Sequence, residues 1–183
     1  MALDGSGDLC TVDAKRLGIG AQSVRRYRAV HCHFKRFDVS TIAQPIPYGA
    51  PVSLDTARRV AAAAEAEAAA NGWPMVIAVV DSGANLVVLL KMDMAQIGSV
   101  AVAQAKAKSA VRFKRPTKVF EEALAAGGLG LRLLATEGVC PLEGGLPLMH
   151  AGQLIGAIGV SGMQSTQDAC VAAAGASALT DGA

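Results

Sequence analysis

The stretch Pro141-Leu142-Glu143-Gly144-Gly145-Leu146-Pro147-Leu148-Met149-His150-Ala151-Gly152-Gln153-Leu154-Ile155-Gly156-Ala157-Ile158-Gly159-Val160-Ser161-Gly162 reads as a β-hairpin. Two apolar runs of strand length, Leu146 to Met149 and Leu154 to Val160, flank the glycine-containing turn Ala151-Gly152. The second run is expected to be a central strand. Gly156 and Gly159 lie inside it, and glycine within a strand weakens packing unless another backbone, a bulky side chain or a ligand approaches closely. Antiparallel pairing brings the hairpin ends together, with Glu143 before Gly144-Gly145 and Ser161 before Gly162. A carboxylate and a hydroxyl are therefore expected side by side, although the same dipeptides also serve as loop punctuation and Glu143 can equally cap a turn.

Around this hairpin the chain has the composition of a soluble globular protein. Of its 183 residues 52% are apolar, enough for a core, and no uninterrupted apolar run is long enough to span a membrane. The first 30 residues lack the apolar centre of a signal peptide, so a cytoplasmic location is expected. Cys10, Cys32, Cys140 and Cys170 show no close ligand spacing, which argues for free thiols over a zinc site or a disulfide framework. Only 4% of residues are aromatic, and the net charge is +2. With so few stacking platforms a nucleic-acid surface is a poor explanation.

The charge is unevenly spread, because residues 1–50 hold 7 Lys/Arg against 4 Asp/Glu while the remainder is nearly neutral. Residues 1–51 show no persistent apolar face and read as a disordered N-terminal extension. His31, Cys32 and His33 lack the further ligands that a specific metal site needs, so no metal is expected there. Pro45, Pro47 and Pro51 mark an extended linker, and a single α+β ligand-binding domain is expected over 52–183.

Within that domain Ser53 caps an expected helix from Leu54 to about Ala70, with Leu54, Ala57, Val60, Ala61 and Ala64 on one face and Asn71-Gly72 as its stop. Met75 to Val80 and Leu86 to Leu90 form a second hairpin. Their lack of alternation predicts burial on both faces, by helices on both sides or by a partner subunit on one, and Asp81 reads as a turn-shaping residue. From Ser99 a helix presents Val100, Ala103, Ala107 and Ala110 on a small-residue face and Gln104, Lys108 and Arg112 on a polar stripe. Pro116 starts a further helix from about Thr117 to Ala125. At this corner Lys114, Arg115, Thr117 and Lys118 cluster near a helix start, where an anion such as a carboxylate could be held, or where the bend is simply solvated. Gly127-Gly128-Leu129-Gly130 reads as a mobile loop. After several capping candidates, Ala169 to Leu179 closes the chain as a helix, bringing Ser161, Ser165, Thr166 and Gln167 toward Glu143.

Val-Val-Asp-Ser-Gly at 79–83, Lys-x-Lys-Ser-Ala-x-x-Phe at 106–113, Pro-Leu-Glu-Gly-Gly-x-Pro at 141–147, Gly-Ala-Ile-Gly-Val-Ser-Gly at 156–162 and Gln167-Asp168 before an alanine-rich helix occur together and in order. By these motifs the chain, over about residues 52–180, resembles the family of glycolate-operon protein G and the secreted haem-binding protein of streptomycetes. It is also similar to the C-terminal part of propanediol-utilisation corrinoid adenosyltransferases. The resemblance implies a profilin-like α+β domain with a roughly five-stranded antiparallel sheet flanked by helices, assembled as a homo-oligomer, and haem as the candidate cofactor. Some haem-binding relatives place a histidine on the first helix, and this chain has none there. Within 52–183 the only histidine is His150, at the expected hairpin tip, leaving Thr166, Met163 or Cys140 as alternative iron contacts.

Three functions are consistent with these residues. The first is a binding protein for a flat anionic ligand, haem or a related tetrapyrrole, with the ring against the glycine-bearing sheet. Lys114, Arg115 and Lys118 would meet its propionates, and Gly144, Gly145, Gly159 and Gln167 would complete the site. The second is a lyase of aromatic-acid catabolism acting on an aryl hydroxylamine carboxylate such as 4-hydroxylaminobenzoate, taking up water and releasing ammonia to leave a dihydroxybenzoate. There Glu143 is the general acid-base, Arg115 anchors the carboxylate, and Ser161 or Thr166 orients the water. Cys140 is the weaker choice of nucleophile, since no histidine is placed to activate it. The third is a non-enzymatic assembly module.

Overall fold

The computed structural model describes residues 45–179. The expected N-terminal extension up to residue 44, with His31, Cys32 and His33, lies outside the described residues. Helix α1 (Leu54–Ala70) begins where Ser53 Oγ accepts the amide of Thr56 at 3.2 Å, and it ends at Asn71 and at Gly72, whose φ is +66°. Strands β1 (Val76–Asp81) and β2 (Leu86–Lys91) follow as a hairpin. Asp81 Oδ1 shapes its turn by accepting the amides of Gly83 and Asn85, each at 2.8 Å. Helices α2 (Ser99–Phe113) and α3 (Lys118–Ala125) meet at the Pro116 corner, where Lys114 takes the left-handed conformation that ends α2. Strands β3 (Gly145–His150) and β4 (Gln153–Ser161) form the expected second hairpin, and α4 (Ser165–Ser177) closes the described chain. Ala151 and Gly152 both have positive φ, the geometry of a tight two-residue turn.

The sheet has four strands, not five, in the antiparallel order β2-β1-β4-β3. The place of a fifth is partly taken by the segment before α1. Tyr48 makes a parallel bridge to Leu154, and the amides of Gly49 and Val52 each bond to β4 carbonyls at 2.9 Å. The proline-marked stretch is thus extended but tied to the sheet. Its Tyr48 hydroxyl also donates to the Val111 carbonyl at 3.1 Å.

Helices α1 and α4 cover one face of the sheet with Val60, Ala64, Val171 and Ala172, against Ile77, Val79, Leu148, Ile158 and Val160. Helix α2 covers the other with Ala103, Ala107 and Ala110, against Val76, Ala78, Val80 and Ala157. Strand β1 is accordingly buried on both faces, whereas β2 is an edge strand that this chain alone leaves with Leu86 and Leu89 exposed. The glycine stretch expected as a mobile loop is instead the start of a 3-10 helix, Gly128–Ala135. It lies close on α3, since a β-carbon at Gly130 would overlap the Ala123 carbonyl.

The glycines of β4 are explained by backbone, not by ligand. A β-carbon at Gly159 would lie 2.1 Å from the Ala103 carbonyl oxygen of α2, and one at Gly156 would lie 2.3 Å from the Val80 carbonyl oxygen. Small residues let α2 settle directly on the sheet. Gly159→Ala is therefore expected to lower stability by about 3 kcal/mol or more, measured by urea unfolding, because rigid backbone rather than a movable side chain occupies the space.

Candidate functional site

The hairpin ends do meet. Gly145 pairs with Gly159, and the Val160 amide donates to the Gly144 carbonyl at 2.9 Å. What fills the junction is a buried ion pair. Lys106 of α2 and Asp168 of α4 are 1% and 3% exposed, and Lys106 Nζ donates to Asp168 Oδ2 at 2.6 Å and to the Val160 carbonyl at 2.9 Å. The other carboxylate oxygen accepts the Met163 amide at 3.0 Å. Burial pushes the Asp168 carboxyl up from its ordinary value, while the Lys106 ammonium opposes that shift. Among the described residues no buried side-chain polar atom lacks a hydrogen-bond partner.

Glycine at 144 and 145 is a condition of this arrangement. Gly144 has φ +119°, and a β-carbon there would stand 3.0 Å from Lys106 Nζ and 2.9 Å from the Asp168 side chain. At Gly145 it would meet the Lys106 carbonyl oxygen at 2.6 Å. The buried Thr117 then locks the strand to the corner, its Oγ1 accepting the Gly145 amide at 2.9 Å and its own amide donating to the Gly145 carbonyl at 3.0 Å. At Gly144, Gly145 and Gly159 the space that a side chain would fill is thus taken by protein.

Glu143 and Ser161 point to different partners. Ser161 is buried, its Oγ 3.3 Å from that of Ser99 at the start of α2, so it is not available to orient a water beside Glu143. Glu143, with its side chain 14% exposed, accepts Lys118 Nζ at 3.0 and 3.1 Å, and its amide donates to the Glu121 carboxylate. The bond to Glu143 raises the Lys118 pKa above its ordinary value. Thr166 is exposed in the first turn of α4, and Gln167 turns back to accept the Gln164 amide at 3.2 Å as a helix cap.

The basic corner does not gather its charges on one anion. Lys114 Nζ donates to the Ile46 carbonyl and lies 4.1 Å from the centre of the Tyr48 ring. Arg115 lies over Phe120, and Lys118 belongs to Glu143. Two cavities open on either side of the corner. One, of about 340 Å³, is walled by Leu146, Pro147, Met149, Ile46 and Ala176 with Lys114 as its one charged group. The other, of about 430 Å³, lies between α3 and the 3-10 helix and includes Arg115, Phe120 and Arg132.

His150 is exposed at the hairpin tip, and Met163 is 42% exposed beside the buried junction. Cys140 is buried, its amide held by Ser109 Oγ at 3.1 Å, and burial pushes its thiol up, which suits neither a nucleophile nor a thiolate ligand. No group of His, Cys, Asp and Glu that could hold a metal ion occurs among the described residues. No helix among them is long and apolar enough to cross a membrane.

Sequence reasoning missed the pairing of Lys106 with Asp168 and the place of Met149 in a cavity wall. The pairing carried a signal, since Lys106 shares the i, i+3, i+4, i+7 stripe of Ala103, Ala107 and Ala110, and Asp168 shares that of Val171, Ala172 and Gly175. A charge in each of two buried stripes implies a pair. Met149 carried none beyond its place on the hairpin.

A model of the family described as haem degrading protein HbpS-like matches residues 52–177. Protein GlcG of Escherichia coli K12 is 38% identical over 110 residues, covering 60% of this chain and 81% of that protein. Among solved structures, a double mutant of Streptomyces reticuli HbpS superposes with a TM-score of 0.66 at 31% identity, covering 75% of this chain and 92% of the other. A complex of PduOC with heme gives 0.64 at 28% identity, covering 70% and 94%.

Lys106→Met alone is expected to cost about 3–5 kcal/mol in chemical denaturation by stranding the Asp168 carboxylate, whereas Lys106→Met combined with Asp168→Leu recovers most of the loss. Equal losses in the single and double variants would contradict the pairing as the cause.

Proposed function

Because the chain belongs to the haem degrading protein HbpS-like family, we propose that it binds a flat, mainly apolar anion, haem or a related tetrapyrrole, in the cavity beside β3. The observation that carries this reading is the wall itself, apolar throughout except for one cation at its rim, Lys114. Leu146, Pro147 and Ile46 would take the ring, and Lys114 a propionate. The thioether of Met149, 38% exposed in that wall, is the donor suited to iron. The solved complex of the related PduOC with heme supports the same class of guest. When bound, the group supplies a redox-active iron in a conjugated ring; the chain's own residues hold its apolar face and one of its charges.

A cavity of about 340 Å³ lies at the small end for ligand sites, so a tetrapyrrole would extend beyond it. The homo-oligomer gives that surface a cover in this reading, with exposed Leu86, Leu89, Met94 and Ile97 as further subunit contacts. Haemin is expected to give a saturable Soret shift in an absorbance titration. Met149→Ala should move the band, and Lys114→Gln should weaken binding about fivefold, the worth of one exposed charge. An unshifted spectrum at micromolar haemin would remove the reading.

In a second reading, which rests on Glu143 and not on the cavity beside β3, the guest is a single-ring aromatic acid and the chain is a lyase for an aryl hydroxylamine carboxylate such as 4-hydroxylaminobenzoate. Its specific support is Glu143, a mostly buried carboxylate paired with the Lys118 ammonium, an acceptor and a donor of protons side by side. On this reading Glu143→Gln lowers ammonia release from 4-hydroxylaminobenzoate by on the order of 100-fold or more with the circular dichroism spectrum unchanged. Full activity in that variant would reject the role.

A further inference from the structure

The groove between α3 and the 3-10 helix has a chemistry of its own. Its floor is Val119, Phe120 and Ala123 of α3, its far side Leu129 and Leu133, and its charged groups Arg115 and Arg132, with no Asp or Glu in the wall. Arg115 donates through Nε to the Phe113 carbonyl at 3.1 Å and lies 5.9 Å from the Phe120 ring centre, which leaves the terminal nitrogens of its fork without a carboxylate. Neither guanidinium forms a salt bridge among the described residues, although Lys118, one turn along, pairs with two glutamates. Two unneutralised arginines beside an apolar floor describe an anionic guest with an apolar body.

The two walls of the groove are in direct contact at one point. Gly130 brings the 3-10 helix onto the Ala123 carbonyl, where any side chain would overlap backbone, and Gly127 and Gly128 have φ +68° and +55°. Phe113 meets Phe120 edge-on at 5.4 Å between ring centres, which fixes the floor. At about 430 Å³ the space suits one ring and its substituents.

From these observations we infer that the α3 groove is a second binding site, distinct from the cavity beside β3, which takes a single-ring aromatic carboxylate with its ring on Phe120 and Val119 and its carboxylate between Arg115 and Arg132. Guanidinium forks match carboxylate geometry, which selects the acid over a neutral ring of the same shape. The inference holds whether or not haem binds at Lys114 or Glu143 performs chemistry.

Calorimetric titration of the full chain with benzoate and with benzamide tests it. Benzoate is expected to bind saturably and benzamide to bind at least tenfold more weakly. Arg132→Gln and Arg115→Gln should each weaken benzoate at least tenfold, while Lys91→Gln, exposed on β2 and lining neither cavity, leaves it unchanged. Absence of benzoate binding, equal binding of the two probes, or unaltered affinity in both arginine variants would overturn the proposal. A change in sedimentation of Arg132→Gln without benzoate binding to either protein would also overturn it, and would make the groove a contact between copies. The Soret titration is a separate readout, expected to be unaltered in Arg132→Gln, so failure at one site is distinguishable from failure at the other.

Discussion

A lysine ammonium and an aspartate carboxylate, both out of water, set the terms on which this fold closes. Neither charge can remain unpaired there without a penalty of several kcal/mol, so Lys106 and Asp168 have to meet, and α2 and α4 come together at the end of β4 where they do. Lys106 also takes the Val160 carbonyl, and Asp168 the Met163 amide, so the pair binds the strand and its exit as well as the two helices. The first residues of the opposite strand must then pass without side chains, which is what Gly144 and Gly145 provide. Thr117 grips the same strand, and the corner between α2 and α3 is positioned with it. Both cavities flank that corner, so their walls derive from a contact that neither of them touches.

The elements were legible from periodicity and punctuation. Ser53, Asn71-Gly72, Asp81 to Asn85, Pro116 and Ala151-Gly152 each mark a boundary that the structure keeps, since caps and turns are local and their chemistry is in the residues themselves. The edge position of β2 was not legible, because an apolar run does not say whether a neighbour exists to cover it. The family resemblance, drawn from motifs in order, agrees with the HbpS-like match over residues 52–177.

The site was legible only as a meeting point. Strand register did bring the hairpin ends together, but register says nothing about side-chain direction, and Ser161 turns under α2 while Glu143 turns toward α3. A cluster of cations read along the chain also separates in space: Lys118, first in α3, pairs with Glu143 and lines neither cavity, and the left-handed step at Lys114 sends Lys114 and Arg115 to separate cavities. Apolar wall and unneutralised charge coincide on the flanks of the corner, whereas at the glycine-lined junction the buried polar side chains are already hydrogen-bonded.

The two irregularities in strand pairing set limits on how the sequence can drift. Between Val79 and Val80 the partner on β2 jumps from Val88 to Leu86, and between Leu148 and Met149 the partner on β4 jumps from Gly156 to Leu154, leaving Val87 and Ile155 as supernumerary residues. Ile155 and Gly156 consequently look toward the same helices, and Leu154 is returned to the α2 side, where it is fully buried. Losing one residue from β4 between Gln153 and Gly159 would re-phase the pleat and turn the buried Leu154 toward the surface, so the distance from the Ala151-Gly152 turn to Gly159 is a length that the core itself measures.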